Sequence, residues 1–350
     1  MSEQEPVLSV RDLRISFPVR CGPLRRIVGH VDGVSNVSFD IRPGQTLALV
    51  GESGSGKSTV ARTLVGLEKP SAGVITFRGR DVARASKREI RQMRREMQMV
   101  FQDPFGSLNP RKTVADIISE GWFVHPGIVA RNQWASEVDK LLLKVGLSEH
   151  HAKRFPHQFS GGQRQRIAIA RALATRPRFI ICDESVAALD VSVQAQIINL
   201  LQDLQRELGL SYLFIAHDLS VVRQMADVVA VMYLGRIVEM APQTQFFDNP
   251  LHPYSRALLS AVPLIEPWRH PEKRKIVLNG DPPSPRHPPR GCTFHSRCWQ
   301  AETRCQDQVP ALRALPEDCL CACHVVADAF APGSNTSVNC RTVNEPTRAP

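Results

Sequence analysis

The sequence predicts an α/β chain built around a phosphate-binding loop, with a small cysteine-rich extension near its C-terminus. Three observations carry this. The apolar run "TLALV" leads straight into the glycine-rich loop "GESGSGKST" at 51–59. A second apolar run, "RFIICDES" at 178–185, ends in two acids. Seven of the nine cysteines lie beyond residue 290, behind the half-proline stretch "DPPSPRHPPR".

At 350 residues and 43% hydrophobic content the chain can bury a full core and a smaller second module. Its formal net charge of +10 suits an anionic partner such as nucleotide, acidic lipid or nucleic acid, without choosing among them. The opening "MSEQEPVLSV" lacks the basic and apolar regions of a secretory signal. No run of ~18 apolar residues is present to span a bilayer. The expectation is a cytosolic chain with reduced thiols, whose membrane role, if any, is peripheral.

Taken in order, "VLSVRDLRISF" and "SNVSFDI" alternate apolar and polar residues as half-buried strands do, and "RPGQ" turns the chain into the buried strand "TLALV". Residues 51–59 then fill every fixed position of G-x-x-x-x-G-K-[ST]. Gly51, Gly54 and Gly56 allow a tight fold in which successive N–H groups, including those of Glu52, Ser53 and Ser55, face phosphate. A helix beginning near Lys57 and running through Thr59 aims its positive end at the same place. Lys57 is expected to reach the outer phosphates and Ser58 the Mg2+ ion.

The strand at 178–185 supplies the matching carboxylates. Consecutive strand residues point opposite ways, so Asp183 is expected to face Mg2+ and Glu184 the water attacking the outer phosphate. "FSGGQRQRIAIARAL" at 159–173 opens a second amphipathic helix, apolar at Ile167, Ile169, Ala170 and Leu173. Its N-terminus at Ser160, Gly161 and Gly162 offers bare N–H groups to another anion. "VSVQAQIINLLQDLQREL" sets Val193, Ile197, Leu200 or Leu201, Leu204 and Leu208 on one helical face, stopped by Gly209. "KREIRQMRREMQM" reads as a solvated basic helix, with no interleaved aromatics to suggest nucleic acid.

With these motifs in this order the chain closely resembles the ATP-binding cassette (ABC) family. The resemblance implies a RecA-like phosphate-loop NTPase core with an antiparallel β subdomain and a helical subdomain. It also implies two subunits packed head to tail, each ATP lying between one chain's phosphate loop and the other's Ser160–Gln163 segment. Gln102, in "MVFQDP", matches the glutamine that touches Mg2+ and the attacking water. Asp190, in "AALD", matches the loop that crosses to the opposite subunit. His217, after "YLFIA", matches the switch histidine that contacts the outer phosphate and holds Glu184. Phe17 is the candidate for stacking on adenine, although "PVRCGPLRRIVGH" lengthens the gap before the phosphate loop. Two positions depart from the family pattern: Ser185 replaces a proline and Ala187 a serine. The expected result is slower turnover with every chemical group retained.

From residue 7 to about 325 the chain looks like the ATPases of bacterial oligopeptide and dipeptide importers. The implied division is a nucleotide-binding domain over 1–245 with helices at about 103–175, a proline-rich connector over 246–290, a cysteine-rich region over 291–325 and a disordered tail over 326–350. The implied partners are a second cassette, identical or homologous, two membrane permeases and, indirectly, a substrate-binding protein at the cytoplasmic face of the inner membrane. No nucleic acid is expected. In "GCTFHSRCWQAETRC" the cysteines are separated by five and six intervening residues, too wide for a C-x2-4-C zinc knuckle. Clustered thiols in a reducing compartment suit a soft metal, and relatives with matching cysteines can bind a [4Fe-4S] cluster. That carries Cys292, Cys298, Cys305 and Cys323 over as candidate ligands, with Cys319 and Cys321 spare and Cys21, Cys182 and Cys340 ordinary.

Two rival readings remain. A soluble ABC ATPase of the chromosome type needs long heptad coiled coils before "SGGQ", and one of the ribosomal type needs a second phosphate loop; neither is present. A redox-sensing module leaves the ATPase motifs unexplained.

Overall fold

The computed structural model describes residues 5–22, 26–82, 84–187, 189–262 and 275–330. Strands β1 (Leu8–Cys21), β2 (Arg26–Ile41), β4 (Ala72–Phe77) and β5 (Arg80–Asp81) form an antiparallel sheet in the order β2-β1-β4-β5. Leu8, Val10, Leu13 and Ile15 of β1 are all buried although the spacing breaks alternation. A register shift between Val10 and Leu13, with Asp12 at φ 48, inserts one residue and returns the apolar side chains to the same face. The long "PVRCGPLRRIVGH" stretch extends the β1–β2 hairpin, pairing Val19 with Gly29 and Cys21 with Arg26.

The main sheet has eight strands in the order β11-β12-β10-β9-β3-β8-β7-β6. Its parallel centre comprises β3 (Thr46–Val50), β6 (Met97–Val100), β7 (Phe179–Asp183), β8 (Ser211–Ala216) and β9 (Val228–Tyr233). Alternate residues of these strands enter two cores. Ala48, Val50, Cys182, Tyr212 and Phe214 join one apolar cluster, whereas Leu47, Leu49, Ile181, Leu213 and Ile215 join the other. Burial on both faces is why these strands read as continuous apolar runs.

The first helices are α1 (Lys57–Leu64), α2 (Lys87–Glu96), α3 (Pro104–Ser107), α4 (Val114–Val124), α5 (Trp134–Lys144) and α6 (Gly161–Leu173). They are followed by α7 (Val191–Leu208), α8 (Leu219–Met225), α9 (Gln243–Asp248) and α10 (Pro253–Ser260). Ser86 and Thr113 close capping boxes with Glu89 and Asp116 at the starts of α2 and α4. The basic helix stops at Glu96, and the next residues form β6 because Met97, Met99 and Val100 are buried beside β7. On α7 the buried residues are Ile197, Ile198, Leu201 and Leu204, while Leu208 is 40% exposed because the last turn runs past the core.

The C-terminal segment adds β11 (Arg313–Leu315) and β12 (Cys319–Cys321) to the edge strand β10 (Arg236–Pro242), with Glu239 opposite Cys321. Two short helices, α11 (Arg304–Asp307) and α12 (His324–Ala329), complete it. Within the stretch expected as connector, α9 ends and α10 stands, whereas 281–290 carries neither helix nor strand. Helix α12 occupies the first residues of the expected tail; 331–350, with Cys340, lies outside the described residues. Among the described residues no helix is long and apolar enough to cross a membrane.

Candidate nucleotide site

The loop between β3 and α1 is shaped by its neighbours. A Cβ on Gly51 would overlap the Met232 carbonyl oxygen of β9, and one on Gly56 would overlap the Gly33 carbonyl oxygen of β2. With Gly51 at φ 150 and Gly56 at φ 104, only glycine fits without strain. Gly235 N–H donates to the Ser55 carbonyl at 2.9 Å, holding the loop from the β9–β10 turn. Ser55 Oγ is buried with no hydrogen-bond partner, which leaves an orphaned polar atom inside the cradle.

Lys57, only 4% exposed, folds its Nζ back to donate to the carbonyls of Gly51 at 2.8 Å and Glu52 at 2.9 Å. Burial pulls its pKa down, against the pull of Glu184, Asp183 and Glu52. Ser58 Oγ donates to Asp183 Oδ1 at 2.9 Å, at the end of β7. Burial pushes the Asp183 carboxyl up, opposed by the Ser58 bond. This hydroxyl–carboxylate pair is the hard-oxygen set that fits Mg2+ held together with phosphate oxygens. Ser53 and Gly54 are exposed at the loop tip, and the Thr59 carbonyl accepts from Thr63 Oγ1 at 2.8 Å within α1.

Glu184 follows directly on the end of β7, outside the strand, with a left-handed φ of 46. Its N–H still donates to Ile215 of β8 at 3.0 Å. Gln102 Nε2 donates to Glu184 Oε2 at 2.7 Å, and His217 Nδ1 lies 3.8 Å from the same oxygen. Residues 82 positions apart in the chain thus meet at one carboxylate oxygen. A cleft of about 60 Å³ opens beside Glu184, Ala187 and His217. Ser185 is buried one residue away.

Other expected residues stand apart. Ser160 caps α6, its Oγ accepting from Gln163 N–H and its N–H donating to Gln163 Oε1. Gly162 is needed there because a Cβ would overlap Val193 of α7. These bonds stay within the helix cap and make no link to 51–59. Asp190 is exposed at the start of α7 and makes no side-chain cap bond. Phe17, 38% exposed on β1, packs its ring on Gly33, whose carbonyl abuts Gly56.

The sequence did not point to a second set of groups behind the loop. Glu52 N–H donates to Tyr254 Oη at 2.9 Å, and Arg297 Nη1 donates to both Glu52 carboxylate oxygens at 3.1 and 3.0 Å and to Tyr233 Oη at 3.4 Å. Arg297 lies 245 positions from Glu52, and no local pattern announces such a pairing.

A family model described as "ABC transporter" matches residues 34–187, and one described as "Oligopeptide/dipeptide transporter, C-terminal region" matches 238–305. The oligopeptide transport ATP-binding protein AppF of Bacillus subtilis is 50% identical over 325 residues, covering 93% of this chain and 98% of AppF. The chain is an ABC transporter ATP-binding subunit. The di/tripeptide transport ATP-binding protein DppF of Pseudomonas aeruginosa is 48% identical, covering 91% of this chain and 98% of DppF. A dimeric post-hydrolysis structure of an ATP-binding cassette bound to ADP and Pi superposes with TM-score 0.59 at 27% identity, covering 67% of this chain and 98% of that one. This subunit is therefore an ATPase on a phosphate-loop α/β fold, using ATP with Mg2+ as its family does. The relatives are transport proteins by name, which disfavours the soluble non-transport reading.

The iron–sulfur expectation is overturned. Among the described residues no group of three or more His, Cys, Asp or Glu is placed to hold a metal ion. Cys292, Cys298, Cys305 and Cys323 serve packing: Cys305 is 6% exposed, and the other three pack against the main apolar cluster. Burial pushes Cys292 up to about 11 and Cys298 up to about 12, and raises Cys323.

Proposed function

We propose that the chain hydrolyses ATP for a bacterial peptide importer, pairing with a second, identical or homologous cassette. On this reading it drives two membrane permeases from the cytoplasmic face of the inner membrane, fed by a soluble binding protein. The observation that carries it is the convergence of Gln102 and His217 on Glu184 beside the loop of Lys57 and Ser58. The relatives' printed names, oligopeptide and di/tripeptide transport, support the cargo class.

In this mechanism the backbone N–H groups of 51–59 hold the phosphates and Lys57 exchanges its two carbonyl bonds for the outer phosphate. Phe17 stacks on the adenine. Mg2+, when bound at Ser58 and Asp183, supplies positive charge against the phosphate oxygens. Glu184 orients the attacking water and takes its proton, with Gln102 and His217 fixing the carboxylate. Ser160–Gln163 of the neighbouring cassette closes the site over the phosphates, with Asp190 at the boundary. Residues 1–245 act as the nucleotide-binding domain, with the helices at about 103–175 forming the subdomain beside the permeases.

ATP-driven uptake of labelled peptide into proteoliposomes carrying this subunit and its two permeases tests the reading. Uptake abolished by Lys57→Ala is expected. Uptake that survives this change, or copurification with ribosomes in place of permeases, would reject it.

A further inference from the structure

We propose that Arg297, in the C-terminal extension, is a positioning residue for the phosphate loop: it holds and neutralises the Glu52 carboxylate, so that the loop presents an uncompensated positive cradle to the triphosphate. Glu52 is the one acid within 51–59. Left unpaired beside the phosphates it would repel them.

The geometry matches the task. The Arg297 side chain is 8% exposed against 27% for Glu52, so the cation comes from the inside and screening by water is limited. One guanidinium nitrogen reaches both carboxylate oxygens and the Tyr233 hydroxyl. The backbone that delivers Arg297 is anchored three residues earlier by Phe294, 1% exposed, whose ring packs 5.3 Å from Tyr233 and 5.4 Å from Tyr254. Tyr254 in turn accepts from the Glu52 N–H. Residue 52 is thus gripped at its backbone N–H by Tyr254 and at its carboxylate by Arg297, and its carbonyl receives the Lys57 ammonium at 2.9 Å. A displacement at Arg297 passes through residue 52 to the lysine.

The inference rests on the reading that 51–59 hold the phosphates. Titration of the full-length protein with a fluorescent ATP analogue and Mg2+ tests it. Arg297→Ala is expected to weaken binding about tenfold, the scale of one half-buried unit charge facing the phosphates. Turnover at saturating ATP should stay within about twofold, because Glu184 keeps its partners. Adding Glu52→Gln to Arg297→Ala should return affinity to within about threefold of wild type, a recovery that a staple serving stability alone would not produce. Glu52→Gln alone keeps an acceptor for Arg297 and should bind at least as tightly as wild type, which gives a decisive reading if Arg297→Ala fails to fold. Wild-type affinity in Arg297→Ala, no recovery in the double variant, or weakened binding in Glu52→Gln would each overturn the proposal. Lys57→Ala titrated alongside separates the layers: normal binding there rejects the loop reading and the coupling with it, whereas loss there with unaltered Arg297→Ala rejects the coupling alone.

Discussion

Around the phosphate loop, polar groups converge on space that a ligand can enter; in the cysteine segment, polarisable groups are turned into the core. His217 is 57% exposed at its side chain, and Ser55 Oγ has no partner. By contrast Cys319 and Cys321 are 5% and 2% exposed, and burial raises Cys321 well above the usual thiol range. The difference teaches that a binding site needs groups whose bonding is unfinished. A thiol already solvated by hydrocarbon has no such need.

The largest effect should come from the carboxylate at the open site. Glu184→Gln is expected to lower kcat at least about 100-fold while leaving nucleotide affinity near wild type, as fits loss of a general base. Phosphate-release kinetics would break the contrast if turnover persisted. On the sealed side, Cys298→Ser places a hydroxyl where a thiol is packed and should cost about 1–3 kcal/mol in urea unfolding with ATPase unchanged. Protein purified without oxygen should carry no stoichiometric iron or sulfide. Tight iron at four per chain would erase the distinction between the two regions.

Much of this was legible because the phosphate loop is made by consecutive residues. The positions of Gly51, Gly56 and Lys57 follow from local backbone geometry, and the apolar runs of β3, β7 and β8 announce strands buried on both faces. Spacing alone is a poor guide at Cys292–Cys305, because burial there comes from packing against the main apolar cluster. Arg297 was invisible for the same reason, since its partner lies 245 residues away. In the sequence the short strand β6 merges with the basic helix, because four residues carry too little period to separate from the preceding turns.

A smaller effect sharpens the contrast through pH. His252 is 1% exposed behind the loop, and its Nδ1 accepts from Tyr254 N–H; burial pulls its pKa from the ordinary 6.5 down to about 3. The unfolded chain therefore takes up a proton below pH 6.5 that the folded chain refuses until about pH 3. Stability from this group is fully present above pH 6.5 and is lost as pH falls through that window, by roughly 1 kcal/mol per pH unit. His252→Asn keeps a helix-capping acceptor and should flatten that slope in urea titrations between pH 6.5 and 4. The smallest effect is at the departures beside Glu184: Ser185→Pro with Ala187→Ser should raise kcat by less than about threefold, through a stiffer backbone and one regained hydrogen bond. Steady-state ATPase unchanged in the single and double variants would show that these positions do not limit turnover.

The central claim is that one ATP is gripped by residues 51–59 of this chain and by the Ser160–Gln163 helix tip of a neighbouring cassette. Size-exclusion chromatography of Glu184→Gln saturated with ATP and Mg2+, alone and mixed with its companion cassette, tests it most directly. A stable cassette pair that dissolves when Lys57→Ala or Ser160→Arg is added is the expected result. Glu184→Gln remaining unpaired in every mixture, with Lys57→Ala binding nucleotide normally, would contradict it.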